Sequence, residues 1–142
     1  MPDSASLDTA ALQELLQSGV IAPWVHELGL RVLTCKAGEV QLALPVSPRH
    51  VHGGGVVCGQ ALMAAADTAM VLAIATQLGA MRPMTTVQLQ TSFLRPVPGT
   101  DAQAQLTARV LRLGKSLVFG EIEITDASGR LAAHSTTTYA LL

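Results

Sequence analysis

From Val56 to Ala75 the chain carries one charged side chain, Asp67, and small or apolar residues at nearly every other position. The surrounding stretch, His52 to Met70, reads HGGGVVCGQALMAAADTAM. A charge taken out of water without a partner is costly, so this acid sets the problem the fold has to solve. The run has about the length that crosses hydrocarbon. Against a membrane span, Asp67 lies near its centre, where insertion costs roughly 2.5–3.5 kcal/mol. Gly59 and Gln60 break its front, and no basic flank follows until Arg82. The pattern instead predicts one long buried helix over Gly59–Leu78, stopped by Gly79.

Such a helix needs a cover, and the remaining segments supply one. Asp8 or Thr9 can cap a short amphipathic helix over about 9–18, and Ile21–Leu28 holds another helical turn or two. Arg31–Cys35 and Glu39–Pro45 read as a hairpin turned at Lys36-Ala37-Gly38. After the long helix come four strands: Thr86–Leu94, Ala102–Leu113, Ser116–Asp126 and Arg130–Leu142. The first should place Val87, Leu89, Thr91 and Phe93 on one face; the third groups Val118, Ile122 and Ile124. One apolar helix covered by a largely antiparallel sheet is an α+β plan in a single domain over 1–142, with 1–24 as an N-terminal helical extension.

With 49% hydrophobic and 13% charged residues, the chain has more apolar surface than a small monomer hides easily, which predicts oligomers. A net charge of −1 argues against a general nucleic-acid binder. Charge is uneven, however: residues 1–30 hold Asp3, Asp8, Glu14 and Glu27 and no Lys or Arg, whereas 80–115 hold Arg82, Arg95, Arg109, Arg112 and Lys115 against Asp101. That local field suits an anionic small molecule. The acidic N-terminus resembles neither a secretory signal nor a transit peptide. Cys35 and Cys58 lack metal-type spacing, and a reducing cytoplasm is the default reading.

Gln60 and Asp67 are seven residues apart, so they share a helix face, roughly 10.5 Å apart along the axis. The helix start at Gly59-Gln60 offers free N–H groups and a positive dipole end, suited to an anion or a developing oxyanion. A carboxylate nearby in apolar surroundings gains basicity. Oxyanion donors and a base or nucleophile along one wall are what acyl transfer requires. The alternative is a buried Asp bonded to a neighbouring strand or subunit for purely structural reasons.

The same residues resemble the active-site helix of hotdog-fold acyl-CoA thioesterases of the PaaI type. That family shows Asn or Gln, then His-Gly-Gly, then an acid nine positions after the His, often within Leu-Ala-Asp-Thr-Ala. Here Ala65-Ala66-Asp67-Thr68-Ala69 fills the last part, Cys58-Gly59-Gln60 stands at His-Gly-Gly, and His52 stands at the Asn or Gln. Thr86 to Pro96 resembles the family's next strand, and Arg112-Leu113-Gly114-Lys115-Ser116 its next hairpin. The likeness runs from about residue 25 to the end.

The resemblance implies a hotdog fold, a curved antiparallel sheet wrapped around one long central helix, paired into homodimers that share their sites and often into dimers of dimers. It implies a thioesterase acting on a small or medium acyl-CoA or aryl-CoA. Asp67 would be base or nucleophile, the Gly59 or Gln60 amide would bind the thioester oxygen, and Thr86 would orient the water or the acid. His52 and Cys58 would line the substrate, and Arg112, Gly114, Lys115 and Ser116 would hold the phosphates of coenzyme A; Met70, an adaptable apolar residue, can line the acyl pocket or belong to the core. No cofactor or metal is expected, coenzyme A being part of the substrate; His50 and His52 lack a further ligand set. A non-catalytic acyl-CoA binder is the alternative. A hydratase fits less well, since no His follows Asp67 until His134.

Overall fold

The long run is a helix because nothing in it opposes one: alanine dominates, proline is absent, and Gly79 ends it in the left-handed conformation. Gly79 has φ 80° and its N–H donates to the Ala75 carbonyl at 2.9 Å. The structure, a computed structural model, describes residues 7–142; Asp3 and the first part of the N-terminal extension lie outside the described residues. In chain order the elements are α1 (Thr9–Leu16), α2 (Pro23–His26), β1 (Arg31–Lys36), β2 (Glu39–Pro45), a 3₁₀ turn (Pro48–His50), α3 (Gly59–Leu78), β3 (Met84–Phe93), β4 (Gln103–Leu113), β5 (Leu117–Thr125) and β6 (Leu131–Leu141). Asp8, rather than Thr9, caps α1, accepting from the Ala11 N–H at 2.8 Å.

The six strands form one antiparallel sheet in the order β1-β2-β4-β5-β6-β3. Its inner face presents Val40, Leu42 and Leu44 of β2, Leu106 of β4, Ile122 and Ile124 of β5 and Tyr139 of β6, all buried against α3. The outer face is polar at its centre, where Arg109 bonds Glu39 at 2.9 Å and Glu123 at 3.0 Å. Glu121 meets His134 there at 3.2 Å. Arg109 is therefore committed to carboxylates and drops out of the positive field expected over 80–115.

Helix α3 is long and apolar enough to cross a membrane by length and composition, but it is the core helix of this fold. Between Ala61 and Thr76 every residue is buried except Met63, Ala64, Asp67 and Val71. With the exposed Gln60, these lie along one side of the helix. The sheet wraps α3 everywhere but along this stripe, and the carboxylate sits in the gap.

Strand β3 departs from strict alternation. Its pairing with β6 shifts between Thr86 and Gln88, leaving Val87 as a bulged residue that is 60% exposed. The inner face expected to hold Val87 instead holds Thr86, because one inserted residue reverses the sidedness of everything before it. Thr86 then lies directly opposite Tyr139.

Met70, expected at an acyl pocket, is also displaced from that role: it is fully buried, with its thioether over Gly120 of β5. A Cβ at Gly120 would stand 2.6 Å from Met70 Sδ and 2.9 Å from the Arg109 carbonyl oxygen. Gly120→Ala should lower unfolding free energy by about 1–3 kcal/mol, the usual cost of overpacking. An unchanged urea midpoint would show that this contact does not hold α3 to the sheet.

Candidate active site

Asp67 is anchored from two strands. Thr86 Oγ1 on β3 donates to its Oδ1 at 2.9 Å. Tyr139 on β6 brings its phenol oxygen to the same Oδ1 and, at 2.9 Å, to the main-chain carbonyl of Asp67. Of the two acceptors the carboxylate is charged and takes the stronger bond. Among the described residues Oδ2 accepts no hydrogen bond, and it is not among the sealed, unpartnered polar atoms. The acid that looked isolated in an apolar run is thus held by one oxygen and free at the other.

Tyr139 is 2% exposed. Burial first, and then the neighbouring Asp67 charge, push its phenol well above the usual tyrosine range, so it remains a donor at neutral pH. Nothing local in the sequence marks it. It stands 72 positions from Asp67, and only the β6–β3 register brings the two together.

The head of α3 forms a second group. Cys58 is the N-cap and supplies no side-chain cap; its N–H donates to the His50 carbonyl at 2.7 Å. The first amides of the helix, Gly59 and Gln60, have no carbonyl one turn back to bond, so they point outward as donors. A cleft of about 330 Å³ opens beside Gly59, lined by His52, Leu62, Phe93 and Arg95 among others. A Cβ at Gly59 would lie 3.1 Å from Phe93 Cζ, so glycine lets that ring close over the helix head. A second cleft of about 260 Å³, beside Cys58 and Gln60, has Trp24, Leu28 and Ala61 in its wall.

His52 spends one ring nitrogen on its own turn: Nδ1 accepts from the Gly54 N–H at 2.8 Å. A neutral ring in that state carries its proton on Nε2 as a donor. Both cysteines are free thiols. Among the described residues no cluster of His, Cys, Asp or Glu could hold a metal.

The turn between β4 and β5 lies at the Asp67 end of the sheet, because Leu113 pairs with Val118, Val118 with Tyr139, and Tyr139 with Thr86. Arg112, Lys115 and Ser116 are exposed there. Gly114 differs from expectation: its N–H donates to the Leu117 carbonyl at 2.8 Å and closes the turn, so it is not a free phosphate donor.

The expected residues therefore fall into two groups on one protomer. Asp67, Thr86 and the 112–116 turn are at one end, joined by the unforeseen Tyr139. Gly59, Gln60, Cys58 and His52 are at the other. Gly59 and Asp67 are eight residues apart on a continuous helix, roughly 12 Å along its axis.

Against known proteins, residues 50–133 match the model of the thioesterase superfamily. A protein of Saccharolobus solfataricus, whose name assigns it provisionally to the esterases, is 30% identical over 115 residues, covering 81% of this chain and 80% of that protein. A similarly named protein of Thermoplasma volcanium is 29% identical over 106 residues, 75% of this chain and 77% of its own. Among solved structures, a conserved protein of Pseudomonas aeruginosa superposes with TM-score 0.79 at 28% identity, over 86% of this chain and 95% of that one. A mutant of the phenylacetic acid degradation protein PaaI from Thermus thermophilus gives 0.75 at 27%, over 85% and 100%. Zebrafish thioesterase superfamily member 2 gives 0.85 over 96% and 100%, at 22% identity a likeness of fold alone. With a family model spanning more than half its length and a wrapped-helix architecture in common with PaaI proteins, the chain belongs to the thioesterase superfamily and has the hotdog fold.

Proposed function

We propose that this protein hydrolyses the thioester of a small or medium acyl-CoA, aryl-CoA included, to the free acid and coenzyme A in the cytoplasm. The observation that carries the reading is the state of Asp67: one oxygen fixed by two donors, the other open on the stripe of α3 that the sheet leaves uncovered. An oxygen held ready but unpartnered suits a base or a nucleophile.

Hydrolysis then proceeds by either of two balanced routes. Acting as base, Oδ2 takes a proton from a water whose oxygen attacks the carbonyl carbon. Acting as nucleophile, Oδ2 forms a mixed anhydride that water cleaves. In both, the C–S bond breaks, the thiolate of coenzyme A leaves and is protonated, and the carbonyl oxygen passes through a negative state that backbone amides stabilise. The amides of Gly59 and Gln60 suit that task, with His52 and Cys58 beside the entering thioester. Arg112, Lys115 and Ser116 would meet the phosphates of coenzyme A, and no other cofactor is required.

On this reading, the separation along α3 calls for a second copy. An attacking atom and an oxyanion donor must both lie about 3 Å from one carbonyl group. Asp67 and Gly59 of the same rigid helix cannot do this across roughly 12 Å. The carboxylate of one protomer would therefore work with the helix head of its partner, in a homodimer that can pair again into a dimer of dimers.

Asp67→Asn should lower turnover of an acyl-CoA panel, followed by thiol release, at least about a hundredfold. Equal rates would remove Asp67 from the chemistry. Tight binding of CoA esters by the wild type with no thiol release from any of them would make the protein a binder instead.

Gly59→Pro removes the N–H donor and spares the helix, because proline is favoured at the first helical position and Cys58, at φ −67° and ψ 148°, already has the extended conformation that precedes it; Gly59→Ala, which crowds Phe93 but keeps the N–H, is its control. We expect a loss of about 10²–10³ in kcat with the helical signal intact. Unfolding and refolding Asp67→Asn and Gly59→Pro together should restore about a quarter of wild-type activity. Half the dimers would then be mixed, each with one intact site of two. No recovery after verified subunit exchange would place the whole site within one protomer.

A further inference from the structure

We propose that Tyr139 is a positioning residue for Asp67, its phenol holding Oδ1 so that Oδ2 is the oxygen that reacts. This rests on the thioesterase reading above and adds a residue to it that lies beyond the 50–133 match.

The geometry is specific. Tyr139 sits on the inner face of β6, between Val118 of β5 and Thr86 of β3. Its ring is sealed in the core under α3, and its oxygen contacts both the main-chain carbonyl and Oδ1 of Asp67. The phenol oxygen thus spans the main chain and the side chain of Asp67. With Thr86 on the same oxygen, a rotation that exchanged Oδ1 and Oδ2 would break two hydrogen bonds at once. The carbonyl alone would have satisfied a buried phenol. The bond to the carboxylate therefore does more than settle Tyr139 in the core.

No other ionisable group on the surrounding strands reaches Asp67. Glu39, Arg109, Glu121, Glu123 and His134 bond one another on the outer face of the sheet. Arg31, Lys36 and Cys35 lie on β1, the edge opposite β3, while Arg112 is on the outward side of β4, paired with Phe119. Strand β3 has no ionisable side chain, and Asp67 is the one acid or base within α3.

Tyr139→Phe keeps the ring and removes the donor. In the intact protein we expect kcat for acyl-CoA hydrolysis to fall about ten- to a hundredfold with KM little changed. The acid limb of the kcat/KM profile should also move, a readout that a merely structural role for Tyr139 would leave in place. In an Asp67→Asn background the same change should have almost no further effect. Tyr139 is the chain's one tyrosine, so growth on 3-fluorotyrosine labels this position alone. Its ¹⁹F signal should titrate with the midpoint of the acid limb, and that movement should vanish in Asp67→Asn.

A folded Tyr139→Phe with wild-type kcat and an unmoved acid limb would overturn the proposal. So would a ¹⁹F signal that ignores the ionisation governing activity, a reading that decides the matter even where Tyr139→Phe does not fold. If Asp67→Asn itself keeps full activity, the thioesterase reading fails first, and this inference with it.

Discussion

The structure depends on how a helix that is apolar on almost every side is kept from water. A six-stranded sheet curls around α3, and buried alanines such as Ala65, Ala69 and Ala73 let the strands approach it closely. Closure is incomplete by one stripe, and the helix's one charge falls there. Placing Asp67 a quarter-turn away would bury a carboxylate among leucines and isoleucines, at a cost that would force it to neutralise. Packing and chemistry are thus settled together by where the sheet stops.

The gap alone does not make a reactive group. A carboxylate free in water samples many rotamers and presents either oxygen. Here two strands that end beside the gap each send a hydroxyl to the same oxygen. Hydrogen bonds to a charged group contribute roughly 1.5–3 kcal/mol each, so the pair is enough to select one rotamer over its rivals. What the two donors add is orientation.

How much of this could be read from the chain depends on the range over which each feature is encoded. Helix α3, the strand pattern and the Asp8 cap are local, and composition and periodicity reveal them. The acid at 67 was visible as an anomaly, and with its flanking residues it pointed to the family. The inward turn of Thr86 was not legible from alternation, because it comes from a bulge at Val87 that alternation cannot foresee. Tyr139 was unreadable for another reason: its relation to Asp67 exists only through the pairing of the last strand with the third. Met70 looked like a lining residue because α3 is apolar on every side, so its sequence could not say which side faced Gly120. Gly114 likewise read as a free donor until the turn was seen to consume its N–H.

On the proposed reading, the helix that keeps Gly59 and Asp67 apart also dictates how two copies would bring them together. A continuous α-helix is stiff along its axis, so no loop movement can shorten the distance from Gly59 to Asp67. On the proposed reading, a two-fold axis that sets Gly59 of one helix beside Asp67 of the other must, by the same operation, set the second Asp67 beside the second Gly59. Such helices run antiparallel, and the residue midway between 59 and 67 meets its own copy at the axis. That residue is Met63, on the uncovered stripe, with the small Ala64 next to it. An adaptable side chain at the self-contact, beside an alanine that permits close approach, is what such a crossing needs. The spacing of two residues along one helix would then fix the register of the dimer, and both sites would form together or not at all.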